Sequence, residues 1–191
     1  VDKEIIPVAN ELEHADEYPT DIIEGLKELG VFGLMIPEEY GGLGESLLTY
    51  ALCVEEIARG WMSVSGVINT HFIVAYMLMQ HGTEEQKQKY LPKMAVGDVR
   101  GAFSMSEPGL GSDVSAIRTR AVQDGDDWIL NGTKTWISNG GIADVHVVVA
   151  VVDPELGSRG HASFIVPPGT PGISQGQFET ARHTARFLLP H

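Results

Sequence analysis

The chain has 191 residues, 43% of them hydrophobic, which allows one sizeable domain or two small ones around a real core. It contains 13 Lys and Arg residues and 26 Asp and Glu residues, and the net charge of -13 argues against a general affinity for nucleic acid or anionic membranes. Cys53 is the only cysteine, so we expect no internal disulfide and a reducing compartment, the cytoplasm or the mitochondrial matrix. No apolar run predicts a membrane span.

The first half of the chain has a helical pattern. From residue 2 to about residue 96, apolar residues recur at helical spacing and glycines such as Gly30 and Gly60 provide stops. Thr83 and Gln86 have the spacing of a capping box, which predicts the start of a helix. Two apolar faces follow the pattern: Ile22, Ile23, Leu26 and Leu29, and then Leu47, Leu48, Ala51, Val54, Ile57 and Ala58.

After Gly97 the apolar pattern changes to a period of two, which predicts short strands. The expected strands are 99–106, 117–122, 128–130, 133–138, 145–152 and 162–166. Two turn signals lie between them, at residues 124–127 and at Asn131-Gly132, and Asn-Gly is a strong hairpin signal. The sequence therefore predicts an α+β protein: a helical domain at 1–97, an antiparallel β domain at 98–176, and a tail at 177–191 that loses the pattern.

Residues 103–113 read as a strand that runs into a turn. The alternation of residues 103–106 is strand-like, and it breaks at Pro108 and two nearby glycines. A turn of this kind exposes backbone N–H groups, and Gly111, Ser112 and Asp113 together form a candidate anion-binding concavity. Small side chains there leave room for a phosphate.

Residues 131–139 form a second candidate segment, in which an indole lies beside free amides. Trp136 offers a large flat face, and Ile137 and Ser138 offer main-chain donors at a strand end. This combination suits an aromatic heterocycle whose edge is hydrogen-bonded.

Together these two segments resemble the flavin site of the acyl-CoA dehydrogenase family, in motif and in spacing. Three more segments agree with that family in the same order: 29–44, 55–60 and 81–87. The resemblance covers roughly residues 1–176. It implies an N-terminal all-α domain followed by an antiparallel, β-barrel-like middle domain, with the family's C-terminal helical domain absent from this sequence.

The resemblance also implies a chemistry, the FAD-dependent α,β-dehydrogenation of an acyl-CoA thioester. It assigns cofactor contacts to Phe103, Met105, Ser106, Gly111, Ser112, Trp136, Ile137 and Ser138, and places Ser112 near the substrate as well. The family's catalytic glutamate belongs to the C-terminal domain, so no catalytic residue is assigned here and this chain alone is expected to be inactive. The implied partners are an electron-transferring flavoprotein and, in the complete protein, three further copies in a homotetramer.

Two other functions stay open at this stage. The first keeps the fold and transfers electrons to oxygen, as in acyl-CoA oxidases and related flavin monooxygenases. The second is a non-catalytic fragment from an incomplete reading frame, because residues 177–191 do not follow the family pattern and are expected to have no fixed place. A Rossmann interpretation of Gly109 and Gly111 fails, because the third glycine is missing and a strand-like alternation follows.

Several individual residues have ordinary structural interpretations. We expect Glu107 to stabilise its turn, His71 to be a core histidine and Cys53 to be a small buried apolar residue. No histidines stand at metal-ligand spacing, so no metal is expected. Leu110 departs from the family, which usually has a small residue there.

Overall fold

The structure, a computed structural model, describes residues 1–175 and 185–187. It divides into two compact units, with the boundary after Gly101. The first unit is helical and the second contains strands, as the change in periodicity predicts. The helices are α1 (Ile6–Ala15), α2 (Thr20–Glu28), α3 (Leu47–Gly60), α4 (Met62–His81) and α5 (Glu84–Ala95), with short 3-10 turns at Val31–Gly33 and Glu38–Tyr40.

Local signals set the ends of α2 and α5. Helix α2 buries Ile22, Ile23 and Leu26 of the predicted face, but the fourth residue of that face, Leu29, is the C-cap and is 74% exposed. The next residue, Gly30, has a φ of 74°, which is costly for any residue with a Cβ. At the start of α5 the predicted capping box is present: the Gln86 N–H donates to the Thr83 hydroxyl at 3.2 Å, and the Thr83 N–H donates to Gln86 Oε1 at 2.9 Å.

The apolar face predicted for α3 is only partly buried. Ile57 is buried, but Leu47 and Leu48 are 67% and 70% exposed. Helix α3 begins at Leu47, after the Ser46 cap, so both leucines lie in its first turn. Helical spacing predicted the helix itself but not which part of its face is covered.

The expectation that no segment is long and apolar enough to span a membrane is wrong for α4. Residues Met62–His81 meet the criteria of length and hydropathy. Half of that stretch is buried inside the structure, and Val64, Ile68 and Phe72 belong to the core of the first unit. A central core helix meets the same criteria, so they do not by themselves indicate a membrane span. One cluster of buried core residues in the first unit consists of Ile5, Ala9, Ile22, Ile23, Leu26, Phe32, Leu34, Ile57, Trp61, Val64, Ile68 and Phe72.

The second unit is built on a five-stranded sheet with the order β1-β4-β2-β3, in which β5 also pairs with β4. Its strands are β1 (Gly101–Ser104), β2 (Arg120–Asp124), β3 (Asp127–Asn131), β4 (Val145–Val151) and β5 (His161–Val166). Ala102, Ile137, Val148 and Val166 form its buried core cluster. The sheet places the candidate site residues on the segments that follow β1 and β3.

Among the described strands, the sheet is mixed and does not close into a barrel, which corrects the expectation of an antiparallel barrel-like domain. The pairs β2/β3 and β4/β5 are antiparallel, but β2 pairs with β4 in parallel at Arg120 and Val151. Parallel neighbours need a long connection, and residues 125–144 provide it. Alternation along one strand contains no information about the direction of its neighbour.

Two local predictions between the strands differ in outcome. The hairpin at residues 124–127 is confirmed: Asp124 pairs with Asp127 across a turn in which Gly125 has a φ of 63°. The Asn131-Gly132 hairpin and the strand at 133–138 are wrong. Gly132 is needed for space instead, because a Cβ there would lie 2.7 Å from Thr119 Cα.

Two more strands, β6 (Ile173–Gln175) and β7 (Ala185–Phe187), pair antiparallel. Residues 176–184 and 188–191 lie outside the described residues, and so does the expectation that they have no fixed place. The backbone of 185–187, part of the same predicted tail, does have a strand partner.

Candidate functional site

The first part of the site is the 106–112 turn, which follows β1. Glu107 and Leu110 bridge each other with two backbone hydrogen bonds of 3.1 Å, and Gly109 allows this closure with a φ of 86°. Gly111 and Ser112 then emerge into solvent. Their N–H groups make no hydrogen bond within the described residues, which leaves two donors available to a ligand.

Glu107 holds the base of this turn from inside. Its side chain is 5% exposed, and its carboxylate accepts hydrogen bonds of 2.8 Å from the N–H groups of Arg118 and Thr119, and another from the Thr119 hydroxyl. Burial favours a raised pKa, but the hydrogen bonds from Thr119, Lys134 and the backbone outweigh it and lower the pKa of Glu107. The turn-stabilising role expected for Glu107 fits these contacts.

Lys134 is a supporting residue that the sequence interpretation missed. It is completely buried, and its Nζ donates to Glu107 Oε1 and to the Met105 carbonyl, both at 2.9 Å. The next residue, Thr135, donates its N–H to the Ser106 carbonyl at 2.9 Å. Burial lowers the pKa of Lys134, and the bond to Glu107 acts in the opposite direction. These contacts fasten residues 105–107 to residues 134–135.

A sequence signal for Lys134 did exist. Lys134 falls in the alternation that predicted a strand, and a lysine that becomes buried needs a carboxylate partner. Glu107 is the buried carboxylate on the neighbouring segment. The sequence alone does not show which carboxylate Lys134 contacts, because that depends on the fold.

Trp136, in the 133–139 segment, has an unusual backbone. Its φ is 59°, in the left-handed region, and its side chain is 55% exposed. For a bulky residue this conformation costs about 1–2 kcal/mol. The conformation is held two residues after the buried Lys134, so the strain lies beside the most firmly fastened point of the site.

The other predicted contacts fall into two groups. Phe103, Met105 and Ser106 are half-buried, at the end of β1 and the start of the turn. Ile137 packs in the core cluster with 2% exposure, and Ser138 is exposed. The N–H groups of Ile137 and Ser138 make no hydrogen bond within the described part of the chain, so each retains a main-chain donor.

Two residues for which we expected ordinary structural roles, His71 and Cys53, lie in the first unit. His71 is fully buried and meets Phe32 edge-on with ring centres 5.0 Å apart; burial lowers its pKa to about 4, so it is neutral near pH 7. Cys53 is half-buried against the helical core. Across residues 1–175 and 185–187, no cluster of three or more His, Cys, Asp or Glu side chains is arranged to hold a metal ion.

Comparison with known proteins decides the family. The N-terminal domain model of acyl-CoA dehydrogenases matches residues 1–98, and the middle domain model matches residues 102–186. The chain belongs to the acyl-CoA dehydrogenase family. The middle-domain match includes residues 177–186, which we expected to differ from the family, and this is evidence against a shifted reading frame there.

Individual members of the acyl-CoA dehydrogenase family are similar along nearly the whole chain. An acyl-CoA dehydrogenase of Bacillus subtilis is 39% identical over 178 residues, which are 93% of this chain and 47% of the relative. The chain thus spans about half the length of such relatives.

Solved structures share the fold. A chain in the structure of the electron transferring flavoprotein of Acidaminococcus fermentans has a TM-score of 0.90 and 38% identity, covering 99% of this chain and 51% of that one. A glutaryl-CoA dehydrogenase from Mycobacterium smegmatis in complex with FADH2 has a TM-score of 0.88 and 33% identity, covering 99% of this chain and 49% of that one.

Proposed function

We propose that this chain is the N-terminal and middle part of an FAD-dependent acyl-CoA dehydrogenase that oxidises the α,β bond of an acyl-CoA thioester. The observation that carries the proposal is the fastening of the 106–112 turn to the 133–139 segment through Lys134, Glu107 and Thr135. It joins a turn with available N–H donors to a segment with an exposed indole and further donors. The relative in complex with FADH2 supports the choice of cofactor.

These residues fit a flavin dinucleotide by the chemistry of their donors. The N–H groups of Gly111 and Ser112 suit diphosphate oxygens, and Gly111 leaves open space, since a Cβ there would meet no atom within 4 Å. The exposed Trp136 indole suits the face of an aromatic ring system. The main-chain donors of Ile137 and Ser138 suit the polar edge of that ring.

FAD, when bound, supplies the acceptor for the hydride that leaves the β-carbon of the acyl group. The protein's share of the work is binding and orientation. Gly111 and Ser112 fix the diphosphate, Ile137 and Ser138 hydrogen-bond the ring edge, and the indole of Trp136 excludes water from one side. Ser112 also contacts the thioester substrate.

We further propose that this chain alone does not turn over, because the family's catalytic glutamate lies in the C-terminal domain. The complete protein is a homotetramer that passes electrons to an electron-transferring flavoprotein, in the cytoplasm or the mitochondrial matrix. The similarity to a chain in the structure of the electron transferring flavoprotein of Acidaminococcus fermentans supports this choice of partner.

The test uses the protein encoded by the complete gene. It should purify with the absorbance of bound FAD, and that absorbance should bleach on anaerobic addition of an acyl-CoA but not of free coenzyme A. A protein without flavin, or with flavin that no acyl-CoA bleaches, would contradict the proposal. Oxygen consumption with the same thioesters then separates a dehydrogenase from an oxidase.

A further inference from the structure

The second unit contains a small open cavity of about 180 Å³ beside the end of β2. Arg118, Arg120, His161 and Ser115 contribute its charged and polar groups, and Val151 also lines it. None of the residues that line it carries a carboxylate. Nothing in the proposed flavin chemistry uses this cavity.

The sheet arranges three of these residues in one row. Arg120 pairs with Val151 in the parallel β2/β4 ladder, and Val151 pairs with His161 in the antiparallel β4/β5 ladder. Directly paired residues project from the same face of a sheet. The buried Val151 therefore forms an apolar floor, with a guanidinium on one side and an imidazole on the other.

The position of Arg118 is fixed by its backbone. Its N–H donates to the buried Glu107 carboxylate at 2.8 Å. One residue later, the Thr119 carbonyl accepts the Val151 N–H at 2.8 Å, which ties this wall of the cavity to the floor. Arg118 and Arg120 thus flank an anchored residue rather than lie on a loose loop.

Positive charge is concentrated here in an otherwise acidic chain. Residues 102–175 contain four Lys and Arg side chains; Lys134 is bound to Glu107, Arg118 and Arg120 line the cavity, and Arg159 lies in the neighbouring 3-10 segment Pro154–Gly160. Within the described residues, none of these three arginines forms an ion pair with a carboxylate. Their charges remain available to an anion.

Two carboxylates in the segments that line the cavity are engaged locally. Asp113 accepts a hydrogen bond from the Ser115 hydroxyl, and Asp153 accepts one from the Glu155 N–H at 2.9 Å. Two guanidinium forks, each able to form paired N–H bonds to one ligand, match the charge and the several oxygens of a phosphate better than the single charge of a carboxylate.

We propose that this cavity is a binding site for a phosphate monoester dianion, held by Arg118 and Arg120 with a further hydrogen bond from His161. The phosphate is either free or carried on a nucleotide. This site and the flavin contacts are probed with different ligands, so a failure of one proposal is distinguishable from a failure of the other.

The experiment is a calorimetric titration of the 191-residue chain with inorganic phosphate and, separately, with adenosine 3′,5′-bisphosphate, at an ionic strength held constant with chloride. Arg118→Gln/Arg120→Gln is expected to raise the Kd at least tenfold. Lys3→Gln/Lys87→Gln removes the same charge from the first unit and is expected to leave the Kd unchanged. Arg120→Lys keeps the positive charge but not the forked guanidinium, so its Kd should lie between those of the two double variants.

The outcomes are separable. Equal Kd values for the two probes would indicate free phosphate as the ligand, and tighter binding of the bisphosphate would indicate a nucleotide-borne phosphate. No binding by the unchanged chain, or an equal loss in both double variants, would overturn the site. The unfolding temperature of each variant shows whether a loss of phosphate binding is caused by misfolding. If the double variant is misfolded, the Kd of the folded Arg120→Lys variant tests the site instead.

Discussion

The candidate flavin site has a buried side and an exposed side, and the two treat their polar groups in opposite ways. On the buried side, the charges of Glu107 and Lys134 are matched to each other and to Thr119 and backbone groups. On the exposed side, the N–H groups of Gly111 and Ser112 have no partner within the described residues. The contrast suggests that the inner contacts maintain the fold and the outer groups are reserved for a ligand.

The largest expected effect comes from breaking the buried side. Lys134→Met leaves the Glu107 carboxylate buried without its cation, which should cost about 3–5 kcal/mol of unfolding free energy. Urea unfolding followed by circular dichroism measures the change. Lys3→Met, at an exposed position, is the control. If the double variant Lys134→Met/Glu107→Leu is as unstable as Lys134→Met, the buried unpaired charge is not the cause.

Acid should weaken the same contacts without a mutation at Lys134. Because the pKa of Glu107 is lowered in the folded state, its contribution to stability is complete above the unfolded carboxyl pKa of about 4.3 and is lost as pH falls through the folded value. Glu107→Gln should therefore lose less stability than the unchanged chain between pH 5 and the acid limit of folding, measured by urea unfolding at each pH. Parallel pH profiles would contradict this. Titration of the buried histidines is common to both proteins.

The strained backbone at Trp136 offers a smaller test of the exposed side. Glycine adopts a φ of 59° freely, whereas alanine does not. The free energy of unfolding should accordingly be about 1 kcal/mol higher for Trp136→Gly than for Trp136→Ala, although glycine usually destabilises a folded chain. Thermal unfolding of the two variants gives the difference. Equal stability would mean that the site stores no strain here.

The smallest effect on stability is expected at Gly111. Its φ is not positive and a Cβ would meet no atom within 4 Å, so Gly111→Ala should change the unfolding free energy by less than about 0.5 kcal/mol. Gly109→Ala, at a φ of 86°, is the matched variant and should destabilise the turn by about 1–2 kcal/mol. Gly111→Ala should nevertheless weaken FAD binding in the complete protein, because the methyl group occupies the approach to the N–H donors. Unchanged FAD affinity would remove Gly111 from the site.

Much of the fold could be predicted because its signals are local. The Thr83 capping box, the stop at Gly30 and the Gly125 hairpin each depend on a few neighbouring residues. The parallel pairing of Arg120 with Val151 could not be predicted in this way, since it joins residues 31 positions apart in the sequence.

In the candidate site, too, residues with a local sequence signal could be predicted and contacts between distant segments could not. Its ligand-facing residues could be named from motifs, and they remain predictions. The partners of the supporting residue Lys134 could not be named in this way, because Glu107 and Met105 come from another segment. The 133–138 alternation predicted a strand, but burial along this segment does not alternate, because Lys134 and Thr135 are both buried and Trp136 is exposed.

The most direct test is the dissociation constant of FAD for the protein from the complete gene, with Trp136→Ala compared to Trp128→Ala. Both indoles are substantially exposed, but Trp128 lies beside Phe164 on the sheet, with ring centres 5.3 Å apart. We predict that Trp136→Ala weakens FAD binding several-fold, from the loss of about 0.5–1.5 kcal/mol of stacking, and that Trp128→Ala leaves FAD binding unchanged. Equal FAD affinity in the unchanged protein and in Trp136→Ala would contradict it.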